Sequence, residues 1–135
     1  MAEHQLQKRT GWLTCAVVLS GLLTACAPDA VGDSITNIEL AASIDEDDAP
    51  FILDVRTSEE FSEGHVPGAV NVPHTTLADR LAELPDAGSE RIVVYCHSGK
   101  RAQMATDLLQ ANGYTGIMEL EGHMSGWREA GLPID

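Results

Sequence analysis

The sequence predicts an α/β fold, with a mainly parallel central sheet and helices on both faces. Two observations carry that prediction. Short apolar runs at Phe51–Val55, Val70–Val72, Arg91–Tyr95 and Ile117–Leu120 alternate with helical patterns about ten residues long. Such alternation predicts a mainly parallel sheet covered on both faces. The chain has 135 residues, enough for one domain and too few for two comfortable ones.

The elements follow in order. Residues 26–35, with Pro28, Asp29, Gly32, Asp33 and Ser34, read as a short tether, and residues 36–135 as the domain. Thr36 to Glu39 has the capping-box pattern and precedes Leu40, Ala41 and Ile44, so a first helix starts there. Asp45 to Pro50 is a charged turn. Phe51-Ile52-Leu53-Asp54-Val55 is a strand with one carboxylate near its end. Thr57-Ser58-Glu59-Glu60 is a second capping box, opening a short helix with Phe61 inward.

Gly64-His65-Val66-Pro67-Gly68-Ala69 is a Gly/Pro loop, and Val70-Asn71-Val72 a short strand ended by Pro73. Leu77, Leu81 and Leu84 give Thr76–Leu84 a helical spacing closed by Pro85. A strand over 91–95 then leads into a polar loop. Ala102 to Asn112 is helical, with Ala105, Leu108 and Leu109 inward and Gly113 as its stop. A last strand over 117–120 is followed by a short helix, Met124–Ala130.

Residues 1–25 have the layout of a signal peptide: Lys8 and Arg9, an apolar core from Gly11 to Leu23, and a processing site. The apolar core is shorter than the roughly 20 residues that span a bilayer. Leu23-Thr24-Ala25-Cys26 resembles a bacterial lipoprotein box, in which the cysteine becomes the lipidated first residue. The expected location is therefore the cell envelope outside the cytoplasm, with Cys26 anchoring the domain to a membrane. Cleavage at Ala25-Cys26-Ala27 without lipidation, and an uncleaved anchor, are the alternatives; all three place the domain outside the cytoplasm.

Charge narrows the partners. The formal net charge is −13, and residues 1–25 remove two cations and one anion, leaving the remainder one unit more negative. Nucleic acid is a poor partner and none is expected, since phosphate contacts need Lys and Arg patches. The acidity reads as a solvated, solubilising surface. Against it, Lys100 and Arg101 stand side by side next to a cysteine and point to a small anionic ligand.

The cysteines are Cys15, Cys26 and Cys96. With the first in the signal core and the second at the processing site, Cys96 is the domain's lone thiol and a candidate reactive one. Burial as inert packing is the alternative from position alone. The loop decides the reading. In Cys96-His97-Ser98-Gly99-Lys100-Arg101 a strand delivers the cysteine into a cationic turn at the start of a helix. Helix N-termini and cations favour the thiolate, the form that attacks. Successive backbone N–H groups form an anion-binding nest, and Gly99 lets the backbone curl around the sulfur.

Arg101 is the candidate for orienting an anionic donor through its planar fork, and Lys100 for a point charge at the mouth. Asp54 and Arg56 are expected to buttress the site, the carboxylate holding loop N–H groups or pairing with Arg56. His97 is a weaker candidate base, because adjacent loop residues usually point apart. His65 and His74 read as turn residues. No His or Cys spacing matches a metal site, and neither a metal nor a cofactor is expected.

From about Ile35 to Ile134 the chain resembles a single-domain rhodanese, a sulfurtransferase module. The resemblance rests on Leu53-Asp54-Val55-Arg56, Glu59-Glu60-Phe61, Gly64-His65-Val66-Pro67-Gly68-Ala69-Val70-Asn71-Val72-Pro73, the Cys96 loop, and Gly126-Trp127. It implies a rhodanese-like fold and Cys96 as the sulfur carrier. The implied reaction takes sulfur from thiosulfate or a similar anion and gives it to cyanide or a thiol. Many members have a Gly-Gly pair before the final tryptophan; here it is Gly122-His123, with His123 expected in a permissive turn.

A phosphatase or arsenate reductase on the same fold is the rival enzyme. Four residues separate Cys96 from Arg101, one fewer than in the related phosphatases, and the smaller ring suits a single sulfur atom. A non-enzymatic sulfur or redox relay, or a binding module, is the rival of another class.

Overall fold

The computed structural model describes residues 33–135. The expected signal segment, the lipidation candidate Cys26 and most of the tether lie outside the described residues. Among the described residues, five strands form one wholly parallel sheet: β1 (Asp33–Ile35), β2 (Phe51–Asp54), β3 (Val70–Asn71), β4 (Ile92–Tyr95) and β5 (Ile117–Leu120), in the spatial order β1-β5-β4-β2-β3. The expected tether is corrected at its end. Asp33–Ile35 pairs with Met118–Leu120 and extends the sheet by an edge strand. Asp-Ser-Ile is too short and polar to announce itself; the open edge of β5 gives it hydrogen-bond partners.

Two helices begin as the capping boxes specify. Thr36 caps α1 (Asn37–Asp45) and Thr57 caps α2 (Ser58–Ser62). In each, the threonine hydroxyl accepts from the backbone N–H three residues on, and that glutamate accepts from the threonine N–H. Helix α3 (Lys100–Ala111) starts two residues earlier than the hydrophobic spacing indicates, so Lys100 and Arg101 belong to its first turn. Helix α4 covers His123–Glu129. The expected Thr76–Leu84 helix is instead two single 3-10 turns, Leu77–Asp79 and Leu81–Glu83, joined at Arg80. So short an isolated segment gains little from helical propagation. The break still lets Leu77 and Leu84 both enter the core.

Alternation along the strands sends side chains into two cores. Leu53, Val55, Ile92, Val94 and Ile117 pack with Ala102, Ala105 and Leu109 of α3, and with Leu77 and Leu84. Ile52, Val93, Tyr95, Met118 and Leu120 face the other way, onto Leu40 of α1 and Met124 and Trp127 of α4. Helices thus cover both faces. The register places Asp54 beside Tyr95, so the chain leaves β2 and β4 at the same rim. In open parallel sheets this carboxyl rim is where ligands bind.

Candidate functional site

Strand β4 carries Cys96 to that rim. The thiol is 1% exposed and unpaired, and its Sγ accepts the Gly99 N–H at 3.0 Å. Gly99 has φ +118°, a conformation that L side chains rarely adopt, and it closes the turn. The loop carbonyls are bound outside the ring. Cys96 O accepts from the Met124 N–H at 3.0 Å, and Gly99 O from the Gln103 N–H at 2.9 Å. His97 O accepts from the Ser125 N–H at 3.3 Å and the Ser125 hydroxyl at 2.9 Å. The amides of Lys100 and Arg101, in the first turn of α3, have no partner within the helix, and the helix end adds positive potential.

The two cations differ. Lys100 is exposed, at the first position of α3. Arg101 does not offer its fork to solvent. Its two terminal nitrogens donate to the two oxygens of Glu60 at 2.6 and 2.9 Å. Glu60 therefore caps α2 and grips the loop cation at once. The Arg101 hydrogen bond holds its carboxyl far below the usual range, at about 2. Glu60 in turn raises the Arg101 pKa, with a smaller contribution from Cys96, which lies within reach of the guanidinium. The fork expected to orient an anionic donor is thus held by Glu60, and Arg101 brings positive charge to the sulfur.

Asp54 and Arg56 lie on the same rim but on the opposite side of the sheet from α3. They are 0% and 3% exposed. The Asp54 carboxylate accepts the Arg56 backbone N–H at 2.8 Å, Nε at 3.0 Å and a terminal nitrogen at 2.6 Å. Arg56 also donates to Gly64 O at 2.9 Å and lies 5.6 Å from the Tyr95 ring centre. Burial works against its charge, but the Asp54 carboxylate outweighs that and raises its pKa. The Tyr95 hydroxyl accepts the Val66 N–H at 3.1 Å, and burial with the Asp54 charge pushes its pKa upward. Asn71 closes the group by donating to the carbonyls of Asp54 and Arg56. This network ties the Gly64–Ala69 loop to β4 directly beneath Cys96. Both expected functions of Asp54, holding a loop N–H and pairing with Arg56, are present.

The other candidates sort by position. Ser98 is exposed, and the exposed His97 ring lies 3.4 Å from Ser125 Oγ. His65 stacks on Phe61 with ring centres 3.6 Å apart and bonds Phe61 O, a turn role. His74 donates its backbone N–H to Val55 O. Three participants were not evident in the sequence. Glu60 showed its capping pattern and its place in the resemblance but no link to the loop, Tyr95 read only as the end of a strand, and Ser125 carried no signal. Such a ring can stabilise a thiolate and afterwards the outer sulfur of a persulfide, one of the reversible states of a thiolate.

Comparison with known proteins agrees with this geometry. The model of the rhodanese-like domain matches residues 36–130. Thiosulfate sulfurtransferase 16, chloroplastic, of Arabidopsis thaliana is 45% identical over 92 residues, covering 60% of this chain and 76% of that protein. The HTH-type transcriptional regulator Rv0324 of Mycobacterium tuberculosis is 40% identical over 118 residues, covering 84% of this chain; the chain spans 50% of that regulator's length. A rhodanese-related protein from Thermoplasma volcanium superposes with a TM-score of 0.67 at 28% identity, covering 76% of this chain and 97% of its own. Sheet order, cysteine ring and domain match lead to one assignment: the chain belongs to the rhodanese family of sulfur-transfer domains.

Proposed function

We propose that this protein moves sulfane sulfur from an anionic donor such as thiosulfate to a thiophilic acceptor, cyanide or a thiol, through a persulfide on Cys96. The observation that carries the reading is the buried Cys96 Sγ accepting the Gly99 N–H at the centre of a four-residue ring. The Cys96 thiolate attacks the outer sulfur of thiosulfate. A new S–S bond forms, the donor's S–S bond breaks, and sulfite leaves with the bonding pair. Cyanide then attacks the outer sulfur of Cys96–S–S⁻ and thiocyanate departs, restoring the thiolate. The two half-reactions predict ping-pong kinetics. In this reading Lys100 attracts the donor, Arg101 stabilises negative charge on sulfur, and the Asp54–Arg56 pair keeps the floor of the site rigid.

The proposed setting is the bacterial envelope, with residues 1–25 removed and Cys26 lipidated. A single acyl chain binds membranes marginally, so firm anchoring needs more than one. Membrane partitioning that persists in Cys26→Ala would overturn lipidation there. For the reaction, intact-mass measurement after incubation with thiosulfate should show one added sulfur, mapped to Cys96 and removed by cyanide. A Cys96→Ser protein that still gains sulfur sinks the assignment. So does a wild type that never gains it but hydrolyses aryl phosphates.

A further inference from the structure

His123 occupies a costly conformation. Its φ is +51°, directly after Gly122 at φ +72°, and a side chain in this left-handed region is uncommon outside Asn, Asp and His. The two residues turn the chain so that the next two amides, of Met124 and Ser125, reach the carbonyls of Cys96 and His97. A glycine would make the same turn without strain. The imidazole is what a glycine would lack, and it is aimed at the sulfur loop.

Two contacts define its placement. The Cys96 backbone N–H points at His123 Nδ1, a long contact of 3.5 Å. On the other side of the ring, Nε2 would lie 2.8 Å from a Cβ placed on Gly99. The ring therefore spans the loop from its first residue to its glycine and fills the space that the missing Gly99 side chain leaves.

We infer that His123 is a positioning residue of the Cys96 loop, acting as a neutral imidazole that takes the Cys96 N–H on Nδ1 and keeps its own proton on Nε2. A protonated ring would present an N–H to the N–H of Cys96 and lose this contact, loosening the ring around the sulfur. Half-burial works in the same direction, holding the His123 pKa below its ordinary value. The titratable groups nearest it are Cys96, His97, Lys100 and Arg101 of the loop and the start of α3, and Glu121 before its own helix; Arg128 and Glu129 lie at the far end of α4, Asp107 in the second half of α3, and Glu39 and Asp45 on α1, which packs against α4. Arg101 is bound by Glu60, Glu121 by Ser34 and Glu39 by its own cap Thr36, while Asn37 of α1 lies beside Gly122. None of the described ion pairs includes His123.

The consequence is an acid limb. As pH falls through and below the free-histidine value of about 6.5, His123 takes up its proton and sulfur transfer slows. The transfer arm of the test rests on the reaction proposed above; the other two arms do not.

The test uses the full chain. Nitrogen-15 spectra of the imidazole at neutral pH should show the Nε2–H tautomer, titrating below 6.5. An Nδ1–H tautomer or an imidazolium at pH 7 overturns the inference. In parallel, cyanide-dependent sulfur transfer and alkylation of Cys96 by iodoacetamide, mapped by peptide mass, are followed against pH in wild type, His123→Asn and His123→Gly. Both replacements tolerate the left-handed backbone, and asparagine alone offers an acceptor oxygen near the Nδ1 position. Transfer should fall about tenfold in His123→Gly, a factor worth about 1.4 kcal/mol. It should recover to within about threefold in His123→Asn, and the acid limb there should shrink to the fall that protonation of Cys96 itself imposes. Three proteins with one common pH profile would overturn the inference. A wild type that carries no sulfur yet shows the tautomer and the alkylation limb refutes the proposed reaction and leaves His123 in this role.

Discussion

Glu60 holds Arg101 by both terminal nitrogens across 41 positions of sequence, at 2.6 and 2.9 Å. One carboxylate thereby joins the start of α2 to the start of α3 and fixes the cation beside Cys96. Glu60→Gln keeps an acceptor for the Thr57 cap but loses the charge-assisted pair. Charge-assisted hydrogen bonds contribute about 1.5–3 kcal/mol, so kcat/KM for thiosulfate should fall about tenfold. Steady-state kinetics check this, and an unchanged value would show that Arg101 needs no brace.

The same pair sets a pH dependence of stability. The folded-state pKa of Glu60 is depressed from 4.5 to about 2. The folded protein therefore binds this proton less readily than the unfolded chain does, and the stabilisation is fully present above 4.5. It is lost as pH falls toward about 2. The difference in thermal midpoint between wild type and Glu60→Gln should be constant above pH 4.5 and shrink below it, as calorimetry would show.

Lys100 should behave differently from Arg101. It is exposed at the start of α3, and its attraction for an anion acts before any bond changes. Lys100→Ala should raise KM for thiosulfate severalfold with kcat nearly intact, the pattern of lost uniform binding. Added salt should erase most of the difference, since screening acts on exposed charges. A fall in kcat equal to the rise in KM would move Lys100 into the chemical step.

Gly99→Ala tests the ring itself. The new Cβ would sit 2.8 Å from the His123 ring at φ +118°, so both sterics and backbone oppose it. Strained backbone of this kind costs about 1–3 kcal/mol. Chemical denaturation should show a loss in that range, and sulfur loading of Cys96 should fall at least as far as the loop is displaced.

Beneath the ring, Asp54→Asn would leave the Arg56 guanidinium buried at 3% exposure without its counter-charge. Removing one partner of a buried pair costs about 3–5 kcal/mol. Replacing both, as Asp54→Asn with Arg56→Met, should cost less than Asp54→Asn alone. Urea denaturation of the two variants distinguishes a true pair from two independent contacts.

Much of this molecule is legible where the information is local. The capping boxes at Thr36–Glu39 and Thr57–Glu60 start their helices because the groups that satisfy the first amides lie three residues apart. The apolar runs become strands because few other arrangements bury a continuous hydrophobic stretch. What local pattern misreads is set by neighbours. Asp33–Ile35 is a strand only because β5 presents an open edge. Leu77–Glu83 breaks at Arg80 because its leucines follow the core rather than a helix axis.

The site divides in the same way. By itself the sequence determined the cysteine, the four-residue ring, the glycine that closes it and the cations that follow, all within six consecutive positions. Only the tertiary structure decided which groups serve that ring. Glu60 occupies the fork of Arg101, and the imidazole of His123 lies against the loop 27 residues from Cys96. Hydrogen bonds and close packing act over a few ångströms, and the folded chain alone brings such distant residues that near.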